Sequence, residues 1–114
     1  MIDSPSPRPD FHAIDMRVGT VLTAEPFVGA RKPAIKLTID FGPDIGVKRS
    51  SAQITEHYRP EDLVGRAVVA VVNFPPKQIG PFASEVLVLG AYDARDQVIL
   101  LRPDVEVSPG AKIG

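Results

Sequence analysis

The stretch NFPPKQIGPFAS, at residues 73–84, combines one amide, one cation and several apolar side chains in a predicted loop. Asn73 offers two hydrogen-bond donors and an acceptor, and Lys77 offers a point charge suited to a phosphate. The rings of Phe74 and Phe82, with Ile79 beside them, would stack on bases in a single-strand binder. In a peptide binder the same side chains would line an apolar groove. The residue types alone do not choose between these ligands.

Three prolines, Pro75, Pro76 and Pro81, make this loop stiff. A connection of about ten residues is long for a hairpin, whose loops usually have two to five residues. Prolines reduce the entropy that the chain loses when such a loop is ordered. We therefore interpret the loop as a pre-ordered platform, or alternatively as a satellite core folded back onto the protein.

Catalysis and metal binding find little support in the residue types. The sequence has two histidines, His12 and His57, and no cysteine. It contains no GxSxG, HExxH or P-loop pattern, and no spacing brings the histidines together with carboxylates. We predict that the protein is not an enzyme, and that it has no catalytic residue, no metal and no cofactor.

Ser50 and Ser51 begin a polar stretch, SSAQ, between a predicted strand and a predicted helix. A serine or Thr55 would cap the helix, which is a common use of these residues. Alternatively, Ser50, Ser51 and Gln53 would offer hydrogen bonds on the face of the protein. Both interpretations stay open.

The composition is that of an ordinary globular domain, with 44% hydrophobic and 24% charged residues over 114 positions. The net charge of −1 argues against a polyanion binder held by bulk charge. Residues 16–59 nevertheless carry seven bases against four acids, which allows a local basic face. We expect residues 1–9, which hold three prolines and no apolar run, to be a disordered lead without a signal peptide or membrane span.

The elements that must position these side chains are mostly short strands. Alternating or continuous apolar patterns predict strands at residues 16–23, 35–41, 45–51, 67–72, 85–89 and 98–101. A short helical segment is predicted at residues 55–64, a helical turn capped by Asp10 at the start, and an extended segment at residues 105–113. Three strands, a helix and two further strands predict an all-β fold, the five-stranded OB barrel. Residues 73–84 would then join the fourth and fifth barrel strands, beside the ligand-binding face.

From residue 11 to residue 114 the sequence resembles the CsaA family of bacterial chaperone-like proteins. This family belongs to the wider group of OB-fold tRNA-binding domains. The stretches that carry the resemblance are DFHAIDMRVGTVLTAE, ARKPAIKLTIDFG, KRSSAQITEHYRPEDLVGRAVVAVVNFPPKQIG and SEVLVLG. The synthetase-type domains have Ser-Glu-Gly-Met where this sequence has SEVL, and Ala-Asp-Lys-Leu where it has ARKP. Both departures follow the CsaA branch.

The resemblance implies site residues and partners. It implies nucleic-acid contacts for Asn73, Lys77 and Ser84, with Lys36, Arg49 and Ser51 beside them. It implies a homodimer in which the two ends of the chain extend beyond the barrel. The dimer interface would then include Phe11, Ile14, Val105, Val107 and Ile113.

The leading hypothesis from the sequence is a cytoplasmic, export-related holdase that binds unfolded or precursor polypeptides on an OB-fold domain at residues 10–114. Its peptide cleft would be bordered by Phe74, Ile79 and Phe82, with Lys36 and Arg49 at the rim. The alternative is a module that binds tRNA by backbone and shape through the same face.

Overall fold

The computed structural model describes residues 10–114. Its strands are β1 (Met16–Pro26), β2 (Ile35–Asp40), β3 (Val47–Ala52), β4 (Ala67–Val71), β5 (Lys77–Ile79), β6 (Phe82–Ser84), β7 (Leu87–Val88), β8 (Gly90–Tyr92) and β9 (Val98–Leu100). One α-helix, α1 (Pro60–Leu63), lies between β3 and β4, and a 3₁₀ turn (Phe11–Ala13) precedes β1. The predicted disordered lead at residues 1–9 lies outside the described residues.

β2 shows most directly how the sequence produces the barrel. Ile35, Leu37 and Ile39 are at most 2% exposed, whereas the alternate residues Lys36 and Thr38 are half-buried on the other face. Because side chains alternate across a strand, this pattern places one face of β2 in the core. β4 is buried on both faces, as its continuous apolar run predicts.

β1 bends so that one strand pairs with two neighbours. Its first half pairs with β4, from Met16↔Val71 to Thr20↔Ala67, and its second half pairs with β2. A bulge between Val21 and Thr23 separates the two registers. Gly19 has a different role, since a β-carbon there would lie 2.5 Å from Ile39 Cγ2 and 2.7 Å from Phe41 Cε1.

The five main strands form a sheet in the order β3-β2-β1-β4-β7, with every neighbouring pair antiparallel. The sheet curls until β3 approaches the chain at residues 84–86, where the Glu85 N–H donates to the Arg49 carbonyl at 2.8 Å. We call this junction the seam. The predicted five-stranded OB barrel, with a short helix between its third and fourth strands, is confirmed.

The helix is shorter than the sequence indicated. It covers four residues rather than residues 55–64, begins with Pro60 at its first turn and buries Leu63 completely. Arg59 occupies the N-cap position and makes no side-chain cap bond. The serines and Thr55 therefore do not cap this helix, and that prediction is wrong. The 3₁₀ turn before β1, in contrast, is capped as predicted, because the Asp10 side chain accepts from the His12 N–H.

Two hairpins go beyond the predicted pattern, and of their four strands only β9 lies at a predicted strand, the one at residues 98–101. The loop at residues 73–84 contains the β5–β6 hairpin, with Lys77 opposite Ser84. β8 and β9 form a second hairpin, with Gly90 opposite Leu100. The predicted extended segment at residues 105–113 forms no long strand. Instead, its end runs beside β1, where Val18 N–H donates to the Ala111 carbonyl and Ile113 N–H donates to the Met16 carbonyl.

Candidate functional site

A groove of about 630 Å³ opens beside the seam. Its walls come from the end of β3, the chain at residues 84–88, the β5–β6 hairpin and the β8–β9 hairpin. The barrel strands thus supply the floor, and the two hairpins supply the walls. The loop that the sequence singled out therefore borders this groove.

The groove presents apolar side chains to solvent. Phe74 is 43% exposed, Leu87 50% and Tyr92 74%, and all three line the groove. Ile79 also lines it and is half-buried. Exposed rings and branched chains in one concavity are unusual on a protein surface, where apolar residues are normally scattered. This arrangement is typical of a site that covers apolar surface of a ligand.

Phe82 occupies a different place from the one expected of a cleft residue. It is 8% exposed and packs edge-to-face on Phe27, with 5.3 Å between ring centroids. Together with Ala34 these residues form a small core beneath the β5–β6 hairpin. Phe82 therefore anchors the wall from below, whereas Phe74 forms its exposed surface.

Two predicted cations lie over this small core. Lys36 Nζ is 4.6 Å from the centroid of Phe27 and 5.1 Å from that of Phe82, and Arg49 Cζ is 5.2 Å from Phe82. Cations at such distances over aromatic faces are attracted by the ring quadrupole. The rings thus hold two positive charges on the outer face of β2 and β3. Arg49 also approaches Glu85, with 3.7 Å between Nε and Oε1.

The polar stretch at Ser50 and Ser51 closes the barrel. The Ser50 hydroxyl, which is buried, donates to the Val86 carbonyl at 3.0 Å. The Ser51 N–H donates to Ser84 Oγ at 3.0 Å, and the Arg49 N–H donates to Glu85 Oε1 at 2.9 Å. Ser51 and Ser84, both expected to contact nucleic acid, are thus brought together at the seam.

Asn73 joins the start of the loop to the N-terminal turn. Its Oδ1 accepts from the Asp15 N–H at 2.9 Å, and its Nδ2 donates to the Ala13 carbonyl at 2.8 Å. The side chain has a positioning role that sequence reasoning did not foresee. The Asp15 carboxylate turns instead to Arg17, whose hydrogen bond holds the pKa of Asp15 below its ordinary value.

Lys77 is exposed on β5 and lines the groove, and no ion pair joins it to another side chain within residues 10–114. Lys32 lines the same groove, as do three acids: Glu56, Glu85 and Asp96. The groove is therefore mixed in charge, whereas the face that carries Lys36 and Arg49 is basic.

The β8–β9 hairpin is fixed to the rest of the protein by two polar contacts. His57 Nε2 lies 2.8 Å from Asp93 Oδ2, and the Leu100 N–H donates to the Tyr58 hydroxyl at 2.9 Å. The Gln97 N–H, followed by the His57 side chain and the Arg95 N–H, lowers the pKa of Asp93. Sequence reasoning predicted the second strand of this hairpin but not the hairpin itself, although DARD between short apolar segments has the composition of a tight turn.

The described residues give no indication of a metal centre. Among them, no three His, Cys, Asp or Glu side chains are close enough together to hold a metal ion. His12 packs edge-to-face on Phe11 in the N-terminal turn, far along the chain from His57. In the same part of the chain, no helix has the length and apolar character needed to cross a bilayer.

The predicted dimer residues are spread over both ends of the chain. Phe11 is 45% exposed, Ile14 38%, Val105 72% and Val107 41%. Ile113 is half-buried where the C-terminal segment runs along β1. The interface itself stays a prediction.

The sequence matches a family described as "Putative tRNA binding domain" over residues 16–112. Among curated proteins it is 39% identical over 104 residues to the methionine–tRNA ligase of Thermotoga maritima, and 44% identical over 108 residues to that of Methanothrix thermoacetophila. These matches cover 91% and 94% of this chain but only 16% and 15% of the ligases. The chain thus spans about a sixth of the length of these relatives.

Solved structures of similar length resemble the whole barrel. The chaperone CsaA of Bacillus anthracis is 56% identical, with a TM-score of 0.86, and the match covers 91% of this chain and 94% of that one. The CsaA chaperone of Picrophilus torridus is 54% identical with the same TM-score and coverage. A MetRS-related protein of Pyrococcus horikoshii is 31% identical, with a TM-score of 0.80 and coverage of 91% and 93%.

Proposed function

The chain belongs to the tRNA-binding domain family and to its CsaA branch, and from this premise we propose that it binds unfolded polypeptides as a holdase. The groove beside the seam is the site of binding. Phe74, Ile79 and Leu87 contact apolar side chains of the client, and Lys36 and Arg49 lie at the rim. The protein acts by covering client surface and carries out no chemical step.

The observation that supports this function is the exposed apolar lining of the groove. Phe74, Leu87 and Tyr92 are between 43% and 74% exposed in the free protein. Covering apolar surface contributes about 25 cal/mol per Å². Covering this surface therefore favours binding of an apolar client segment, against the cost of ordering that segment, and needs no energy source.

Substitution of Phe74 by serine tests this proposal. Phe74 is exposed, so Phe74→Ser should leave the fold intact while it weakens suppression of aggregation of a urea-unfolded client, measured by light scattering after dilution. Val28→Ser is the matched control, because Val28 is 89% exposed in the loop between β1 and β2 and lies outside the groove. Unchanged suppression by the folded Phe74→Ser variant would remove Phe74 from the site.

The second candidate function is binding of tRNA, which the positions of the cations favour. Lys36 and Arg49 are held over the rings of Phe27 and Phe82, and Lys77 lies exposed at the edge of the same hairpin. Such an array suits a phosphate backbone, with Asn73, Ser51 and Ser84 near it. In this function the domain recognises backbone and shape.

Salt dependence separates the two functions. Phosphate-dominated binding weakens steeply with salt. On a duplex, the logarithm of the binding constant falls with the logarithm of the salt concentration, with a slope of about −0.9 for each phosphate neutralised. If tRNA is the ligand, Lys77→Ala should reduce both the affinity and the salt slope, measured by filter binding from about 50 to 200 mM salt. An unchanged slope would exclude Lys77 as a phosphate contact. A pulldown from lysate at low and high salt then shows whether RNA or polypeptide is retained.

The proposed setting is the cytoplasm, with precursors of exported proteins among the clients and with the protein acting as a homodimer. The absence of cysteine suits that compartment. A homodimer would carry two grooves, so one client chain could be held at two points.

A further inference from the structure

The charged side chains that line the groove are sorted between its two walls. Lys77 belongs to the β5–β6 hairpin, and Lys32 belongs to the loop between β1 and β2. This loop and this hairpin meet at the small core beneath the hairpin, against which Ala30 and Ile79 pack. The two lysines therefore lie on one side of the groove, which we call the basic wall.

Two acids belong to the other side. Asp96 lies in the turn of the β8–β9 hairpin, and Glu56 lies in the turn that follows β3. These two turns are joined by the contact between His57 Nε2 and Asp93 Oδ2 at 2.8 Å. Glu56 and Asp96 therefore share a side of the groove, which we call the acidic wall.

The charges of both walls are uncompensated. Within residues 10–114, no ion pair includes either lysine or either acid, and all four side chains are exposed. The third acid of the groove, Glu85, is already engaged, because its Oε1 accepts from the Arg49 N–H at 2.9 Å and lies 3.7 Å from Arg49 Nε. The groove thus offers two free charges of each sign around its apolar lining.

We propose that the groove selects polypeptide segments by the order of their charges, with an acidic side chain against the basic wall, a basic side chain against the acidic wall and apolar residues between. This inference rests on the proposed holdase function and names the class of client segment. Complementary charges across an interface fix register and reject wrong partners more than they raise affinity. The apolar lining then supplies the affinity, and the walls decide which segments are held.

The occupant is a polypeptide rather than RNA because the two walls have opposite signs. An RNA backbone carries negative charge along its whole length, so Glu56 and Asp96 repel it wherever Lys32 and Lys77 attract it. A purely basic or purely acidic peptide likewise meets like charge on one wall. A segment that carries both signs, separated by apolar residues, satisfies both walls.

Three peptides of one composition test the proposal. Each has a centre of alternating leucine and threonine, blocked ends and a fluorescein on a glycine linker. Two ordered peptides carry paired glutamates at one end and paired lysines at the other, one in each chain direction, and a mixed peptide carries one of each at both ends. By fluorescence anisotropy, the better ordered peptide should bind at least about fivefold more tightly than the mixed one at about 20 mM salt, and lose this advantage at about 500 mM. Equal affinities of all three at low salt would overturn the proposal.

Lys77→Glu and Glu56→Lys test the walls on the protein. Each substitution reverses one charge of a wall, so each should reduce the advantage of the ordered peptide over the mixed one at low salt. Arg59→Glu and Glu61→Lys are the matched controls, because both residues are exposed at the start of α1 and lie outside the groove. An equal reduction in the controls would mean that net charge, and not the walls, controls the preference.

Oligouridine tests whether the acidic wall merely keeps RNA out of the groove. Glu56→Lys should strengthen the binding of a phosphate chain but weaken the binding of the ordered peptide. If the variant binds oligouridine more tightly and its preference among the peptides is unchanged, the proposal is overturned.

The same assays distinguish failure of this inference from failure of the proposed function. If the three peptides bind equally, or none binds, while the protein still suppresses aggregation of the client, the selection by charge order is wrong and the holdase function stands. If no peptide binds and the folded protein does not suppress aggregation, the holdase function itself is wrong.

Discussion

Asn73 shows that a residue type suited to ligand binding can instead hold two parts of the fold together. An amide at the start of a loop suits a nucleic-acid contact. Here, however, the amide oxygen accepts a hydrogen bond from the backbone at residue 15, and the amide nitrogen donates one to the backbone at residue 13. The contact bridges residues that are about sixty positions apart in sequence. No local pattern reveals such a partner, because it depends on how β4 and the N-terminal turn meet in the barrel.

We predict that Asn73→Ala destabilises the protein by about 1–2 kcal/mol, because it removes two hydrogen bonds that each contribute about 0.5–1.5 kcal/mol. Urea denaturation followed by circular dichroism would measure the loss. Gln78→Ala is a suitable control, since Gln78 is an exposed amide that bonds only the nearby Gly80 carbonyl. A cost no larger than that of the control would contradict the positioning role.

Phe82 illustrates what the sequence left open. The rings of the loop could line a groove or form a satellite core, and the structure divides these roles between Phe82 below and Phe74 above. Phe27, which covers Phe82, comes from the loop between β1 and β2. Its contribution was not predictable from the residues around position 82.

Among the elements, those with a strong hydrophobic period were predictable from sequence. β2 alternates, β4 is continuously apolar, and both occur where expected because their burial follows directly from that pattern. β9 coincides with the strand predicted at residues 98–101, but the hairpins as such were not predictable, since β5, β6 and β8 have three residues each and no period can be read from so few. Because the hairpins form the walls of the groove, most of those walls could not be predicted from the sequence.

The β8–β9 hairpin should loosen in acid. The pKa of Asp93 is lowered in the folded protein, so its carboxylate stabilises the hairpin above the ordinary aspartate pKa of about 4. That contribution is lost as the pH falls through the lowered pKa and the turn N–H groups lose their charged acceptor. We predict that amide exchange of the hairpin rises relative to β2 when the pH falls below about 4, once intrinsic exchange rates are corrected.

Asp93→Asn separates this effect from general acid unfolding. The variant keeps an oxygen acceptor for Gln97 but cannot gain or lose a charge, so its hairpin should be looser at neutral pH and show a weaker response to acid. Glu61→Gln, which alters an exposed acid of α1, is the control. Equal acid responses in the hairpins of wild type and Asp93→Asn would contradict the assigned role of Asp93.

At the scale of the whole molecule, the C-terminal segment lies against the first half of β1, near the N-terminal end of the described residues. The segment at residues 110–113 pairs with Met16 and Val18, and the Arg17 guanidinium bonds both the Asp15 carboxylate and the Gly110 carbonyl. Gly42 and Gly110 have positive φ values and pack backbone to backbone, so neither position has room for a β-carbon. This close crossing fixes the C-terminal segment on the barrel while Val105 and Val107, just before it, remain exposed.

The exposure of these end residues leads to a prediction about assembly. Val105, Val107, Phe11 and Ile14 are each at least 38% exposed, although a five-stranded barrel does not need apolar side chains there. A twofold dimer would cover the same patch on both copies.

We predict that the protein sediments as a dimer and that Val105→Glu raises the dissociation constant at least tenfold, about 1.4 kcal/mol, by placing a charge in an apolar interface. Val28→Glu, at a side chain 89% exposed in another loop, should leave the dimer unchanged. Analytical ultracentrifugation over a dilution series would measure both, and a dimer equally stable in the two variants would place the interface elsewhere.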